Sequence, residues 1–218
     1  MKCIFCKQTS NDCVSSEHIL PESLGNIEAI LGPGIVCDKC NNYFSREIEK
    51  PVLSSGIFKL LRNDKRLPSK KGKIPVFGDT DKPELPDYRV MGRFIGKVGL
   101  EALAQRTQKV SGWNKEIVTK PEIDELRNFV RFNYGKEDWP FAYRTLYPVN
   151  AIFNENGQTF EVLNEYDLLY TKGYELYIVL VLFGVEFAMN LGGRILDGYK
   201  HWLEENDWES PLYIGKNS

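Results

Sequence analysis

Long apolar runs, a strong net charge and low-complexity tracts are all missing from this 218-residue sequence. The longest apolar run, Leu176 to Val185, is too short to cross a bilayer and stops at Glu186, so no membrane partner is expected. With 28 Lys and Arg against 30 Asp and Glu, the chain gives no whole-protein argument for nucleic acid. The balance is uneven along its length: residues 1–80 hold 12 Lys and Arg against 9 Asp and Glu. No signal peptide is visible, because Met1 leads at once into a cysteine pair, and a cytoplasmic location is the expectation.

Cysteine is also sparse, but its placement is informative. Four of the five cysteines form Cys3-x2-Cys6 and Cys37-x2-Cys40. Two such pairs can supply four thiolates to one tetrahedral zinc, which reads as metal binding in a reducing compartment rather than a disulfide framework. A four-thiolate site has no open coordination position, so the expected Zn2+ is structural. Cys13 is left over and reads as a small core residue.

The sequence predicts an α+β protein in three parts. Residues 1–55 form a cysteine-bounded unit too small for a good apolar core, so metal must help it fold. Short strands are expected at Met1–Phe5, Cys13–Ile19 and Ile35–Val36, then a helix from Asp38 to Glu49. Residues 56–90 read as a basic, Pro-rich connector, with Lys59, Arg62, Lys65, Arg66, Lys70, Lys71 and Lys73 standing against Asp64 alone. This run is either a solvated linker or a phosphate-contacting arm. Residues 91–218 form a larger α+β domain with antiparallel strands. Within it, helical spacing covers Gly92–Gln108, and a helix opens at Pro121 and is capped by Gly135. A hairpin turns at Asn156-Gly157, and Glu175–Leu182 reads as a buried strand. The type of Ile195–Glu205 stays open.

The candidate chemistry lies between and after the cysteine pairs. His18 offers a neutral imidazole that can take a proton from water near pH 7, as phosphodiester hydrolysis requires. Glu17 supplies a hard oxygen ligand for a divalent cation such as Mg2+ or Mn2+, and Asn41 offers a second. Adjacent strand residues point to opposite faces, so Glu17 and His18 can share one site only if the chain bends or bulges. His201, in the acidic C-terminal region, reads as a surface or packing residue.

Residues 3–50 resemble the HNH endonucleases of the zinc-stapled ββα-metal type. The resemblance rests on Cys-x2-Cys, Glu-His-Ile-x-Pro-x-x-Leu-Gly-Asn and Val-Cys-x-x-Cys-Asn-x-x-Phe. It implies a DNA-cutting enzyme with His18 as general base, Glu17 as metal ligand and Asn41 as the third motif residue. The middle motif asparagine is unmatched, since Gly32 to Gly34 occupy its stretch, and Asn26 is the candidate substitute. One such centre cuts one strand, so a double-strand break needs a homodimer or two nicks. The alternative is a zinc-dependent nucleic-acid-binding module without catalysis, with Glu17 and His18 structural. A further alternative is a protein-interaction knuckle.

Overall fold

Cysteine geometry shapes the start of the chain. In the computed structural model, which describes residues 1–25, 28–111, 119–145, 164–206 and 213–214, the first knuckle is a tight turn. Lys7 donates its N–H to the Cys3 carbonyl at 3.0 Å, and Cys3 donates to Gln8 at 2.9 Å. The strand expected at Met1–Phe5 is therefore reduced to a single Lys2–Thr9 bridge, because turning both sulfurs toward one point bends the backbone out of extension. The strand expected over Cys13–Ile19 is likewise reduced, to Glu17–His18 (β1). It pairs antiparallel with Ile30–Leu31 (β2), Glu17 opposite Leu31 and His18 opposite Ile30. The strand expected at Ile35–Val36 is displaced to β2, and Val36 keeps only a bridge to Pro33. Gly34 turns this corner at φ +84°, where a Cβ would sit 2.8 Å from the Ser10 carbonyl oxygen, so a side chain is excluded on both counts.

After the second knuckle, α1 (Asp38–Phe44) runs through one π turn, Ser45–Glu49, into α2 (Lys50–Ser54). The helix expected to stop at Glu49 is thus longer. Pro51, which lacks an N–H to donate, follows directly on the π turn in this continuous helical run. Phe44, Ile48 and Val52 are all fully buried, so one apolar line persists through the widened turn.

Part of the expected connector is helical: α3 spans Gly56–Asp64 and buries Phe58 and Leu61. The central element is α4 (Tyr88–Ser111), buried on all sides from Met91 to Leu100. Gly92, Gly96 and Gly99 are ordinarily poor in a helix, and the tertiary enclosure outweighs that cost. Helix α5 (Asp124–Phe132) follows a 3-10 turn at Pro121–Ile123. Its cap is Asn133 in the left-handed region at φ 58°, not Gly135, because a short polar side chain tolerates that conformation. The Arg89 guanidinium fixes this end by donating to Asn133 Oδ1 at 2.6 Å and to the Gly135 carbonyl at 2.7 Å.

The chain divides into compact units at 1–139 and 140–218, so the boundaries expected at 55 and 90 fall inside the first. The second unit holds strands β3 (Ala142–Thr145), β4 (Glu165–Tyr170), β5 (Leu176–Leu182), β6 (Val185–Asn190) and β7 (Tyr213–Ile214). They form one antiparallel sheet in the order β4-β5-β6-β3-β7. Ile195–Glu205 resolves as helix α6 (Asp197–Asn206), whose Tyr199 and Leu203 pack with Ala142, Tyr177 and Ala188. Inside this unit the Arg144 guanidinium donates to Glu186 at 2.6 Å, and the Tyr199 hydroxyl donates to the same carboxylate. The Asn156-Gly157 hairpin lies outside the described residues. No helix among the described residues is long and apolar enough to cross a membrane.

Candidate active site

The sulfurs of Cys3, Cys6, Cys37 and Cys40 lie within 4.8 Å of one another, and Cys13 stands apart from them. Hydrogen bonds already point at this cluster. Arg131 of α5 donates Nε–H to Cys40 Sγ at 3.0 Å, and the Cys37 backbone N–H donates to Cys3 Sγ at 3.4 Å. Hydrogen bonds from Cys3 and Cys40 pull the Cys6 thiol down to about 3, while hydrogen bonds with Cys3 and Cys6, and then burial, push Cys40 upward. Four crowded sulfurs thus favour one thiolate and oppose the next. A divalent cation removes that conflict, so the donor set fits a four-thiolate metal. Helix α5 also grips the first knuckle, where buried Arg127 donates Nε–H to the Ile4 carbonyl at 2.7 Å.

Next to this cluster lies a cleft of about 610 Å³. Glu17, His18 and Asn41 all line it, so the two neighbours on β1 do reach one site. A strand of only two residues imposes little alternation. Asn41 donates its amide N–H to the Ser16 carbonyl at 3.1 Å, which ties α1 to the residue before β1 without using the amide oxygen. Asn26 lies outside the described residues.

His18 Nε2 is 3.0 Å from Glu22 Oε1. Its Nδ1 is buried with no hydrogen-bond partner among the described residues. Such orphaned acceptors are rare in folded proteins and mark places where function competes with stability.

Glu17 is 4% exposed. Burial raises its pKa, and the nearby Lys97 ammonium opposes that rise. Lys97, on α4, is fully buried with its Nζ 2.6 Å from Glu17, 2.9 Å from Glu49 and 3.0 Å from Glu101. Burial alone would strip its proton, but the surrounding carboxylates outweigh burial and hold its pKa well above the usual lysine value. Glu101 is driven well above the usual carboxylate range, chiefly by burial.

The seven basic residues of 59–73 have different fates. Arg62, Lys70 and Lys71 line the cleft with His18. Arg62 is 5% exposed. It donates Nε–H to the Ser23 carbonyl at 2.9 Å, and its buried Nη2 has no partner among the described residues. Lys59 pairs with Asp81 at 3.3 Å, so its charge serves the fold. Lys65 Nζ is buried, and Arg66 and Lys73 are exposed away from the cleft lining. His201 is a surface residue beside Glu204.

Sequence reasoning missed Glu22, Glu49, Arg46, Lys50 and Lys97. The His18–Glu22 spacing was a usable local signal. Arg46, Glu49 and Lys50 follow Asn41 one to two turns along the same helical run and line the same cleft. Lys97 had no local signal, because only the tertiary fold brings it to β1.

A search of curated proteins and a search of solved structures each found no match. Residues 3–55, which carry both knuckles, the Glu17–His18 strand and Asn41, match the HNH endonuclease family model, and that segment points to a nuclease acting on nucleic acid.

Proposed function

We propose that the chain is a metal-dependent endonuclease that hydrolyses DNA phosphodiester bonds. The four cysteines hold a structural Zn2+ that fixes the segment on which the site is built. Glu17 and the Asn41 amide oxygen hold one Mg2+ or Mn2+, which polarises the scissile phosphate and stabilises the leaving oxygen.

The observation that carries this reading is the convergence of His18, Glu17, Asn41 and Arg62 on one cleft. Glu22 fixes the His18 ring through Nε2, which leaves Nδ1 as proton acceptor for the attacking water. Leaving a buried acceptor unsatisfied costs about 1–3 kcal/mol, and a donating water offsets that cost during the reaction. Arg62, Lys70 and Lys71 at the cleft supply donors for backbone phosphates. Glu22 is a positioning residue that takes the place of the unmatched motif asparagine.

One observation favours a second reading. Glu17 is tied to Lys97, as a purely structural carboxylate would be, which suits a zinc-dependent nucleic-acid-binding module without catalysis. A plasmid-nicking assay with Mg2+ or Mn2+ separates the two. Cutting by wild type that is lost in His18→Ala supports the enzyme, and DNA binding without cutting supports the module. Double-strand breaks by this single centre require a homodimer or successive nicks.

A further inference from the structure

Lys97 lies well beyond the 3–55 segment, yet it touches both halves of the catalytic pair. Its Nζ sits 2.6 Å from the Glu17 carboxylate and donates to the His18 carbonyl oxygen at 3.1 Å. Glu49 lies at 2.9 Å. The His18 contact is a hydrogen bond, and the two carboxylates lie at ion-pair distance. Glu101, one helical turn on, is the third carboxylate, at 3.0 Å.

Stability is a weak account of this arrangement. Burying a lysine among carboxylates carries a large desolvation cost, and apolar replacement of whole buried ion clusters is often neutral or stabilising. A fold that only needed to fill this volume would use apolar side chains. What the ammonium adds is geometry. One fixed point holds a side chain and a backbone carbonyl of consecutive residues, on a strand whose ladder is only two residue pairs long. Glu49 lines the cleft, so the same ammonium also couples α4 to the far wall of the site.

We propose that Lys97 is the positioning residue of this site, locking the Glu17 carboxylate and the His18 backbone in the one arrangement in which ion and base act together. The inference rests on the reading in which Glu17 holds the divalent ion. It makes α4, outside the family-matched segment, an integral part of the nuclease.

The test uses the full chain and two variants. Lys97→Met removes the ammonium alone. Lys97→Met with Glu101→Leu removes the fully buried pair together and protects the fold. Each is assayed for cooperative melting and zinc content, for Mn2+ binding by electron paramagnetic resonance, and for single-turnover cleavage at saturating Mn2+. Folded variants should still bind Mn2+, because Glu17 and Asn41 remain, while cleavage falls by about 10- to 100-fold and added Mn2+ does not restore it. Cleavage at the wild-type rate by either folded variant overturns the proposal. So does full rescue by Mn2+, which would assign Lys97 to ion affinity alone. Loss of folding in both variants would assign it to the fold and overturn the proposal equally. A wild-type protein that neither binds Mn2+ nor cuts would instead bring down the underlying functional reading, and this inference with it.

Discussion

The Glu22 carboxylate lies 3.0 Å from His18 Nε2, four residues along the chain. A base that must meet one water at one phosphate needs its ring held, and this contact holds it. Glu22→Ala should lower the cleavage rate by roughly tenfold, a part of the about 10²- to 10⁴-fold that a general base supplies. Glu22→Gln keeps an oxygen acceptor and should lose less. Because Glu22 acts through His18, the double variant His18→Ala/Glu22→Ala should be no slower than His18→Ala. An additive loss in single-turnover kinetics would show that Glu22 acts on its own.

The metal cluster should govern folding of the first unit. The purified chain should carry one zinc, since four thiolates make one closed site. A strong chelator should abolish the cooperative melt of the unit, because metal-binding energy there is folding energy. Arg131→Met removes the N–H donor to Cys40 Sγ and should weaken zinc retention by about 10- to 100-fold against a chromogenic chelator. Unchanged retention would show that the contact is incidental.

The cleft cations should act on binding rather than on chemistry. Replacing Arg62, Lys70 and Lys71 with Ala should weaken DNA binding and flatten its salt dependence, by about one unit of slope for each phosphate no longer neutralised. Turnover at saturating DNA should change much less. Lys59→Ala should leave the slope unchanged, because its ammonium is engaged by Asp81. Equal effects of the two substitutions in a salt titration would contradict this division.

Local pattern carried the metal site and the α+β class. Cysteine spacing named the cluster without any knowledge of the fold, because two close pairs turn their sulfurs inward by local geometry alone. Helix α5 was legible from Ile123, Leu126 and Val130. The misreadings have tertiary causes. The strands at 1–19 were overextended because knuckle turns, not sheet pairing, set the backbone there. The basic run at 59–73 looked uniform because sequence does not reveal which lysine meets Asp81 and which faces a cleft. Lys97 was invisible for the same reason: its partners lie at positions 17, 18, 49 and 101, and only the enclosure of α4 brings them together.

The central claim is that His18 is the proton acceptor and that Glu17 and Asn41 hold the ion. The most direct measurement is single-turnover cleavage of plasmid DNA as a function of Mn2+ for wild type, His18→Ala, Glu17→Ala and Asn41→Ala, with zinc content and DNA binding checked in each. His18→Ala should bind DNA, keep its zinc and fail to cut at any Mn2+ concentration. Glu17→Ala and Asn41→Ala should recover part of their activity as Mn2+ rises, since weakened ion affinity yields to mass action and a missing base does not. Cleavage by His18→Ala at the wild-type rate would contradict the account.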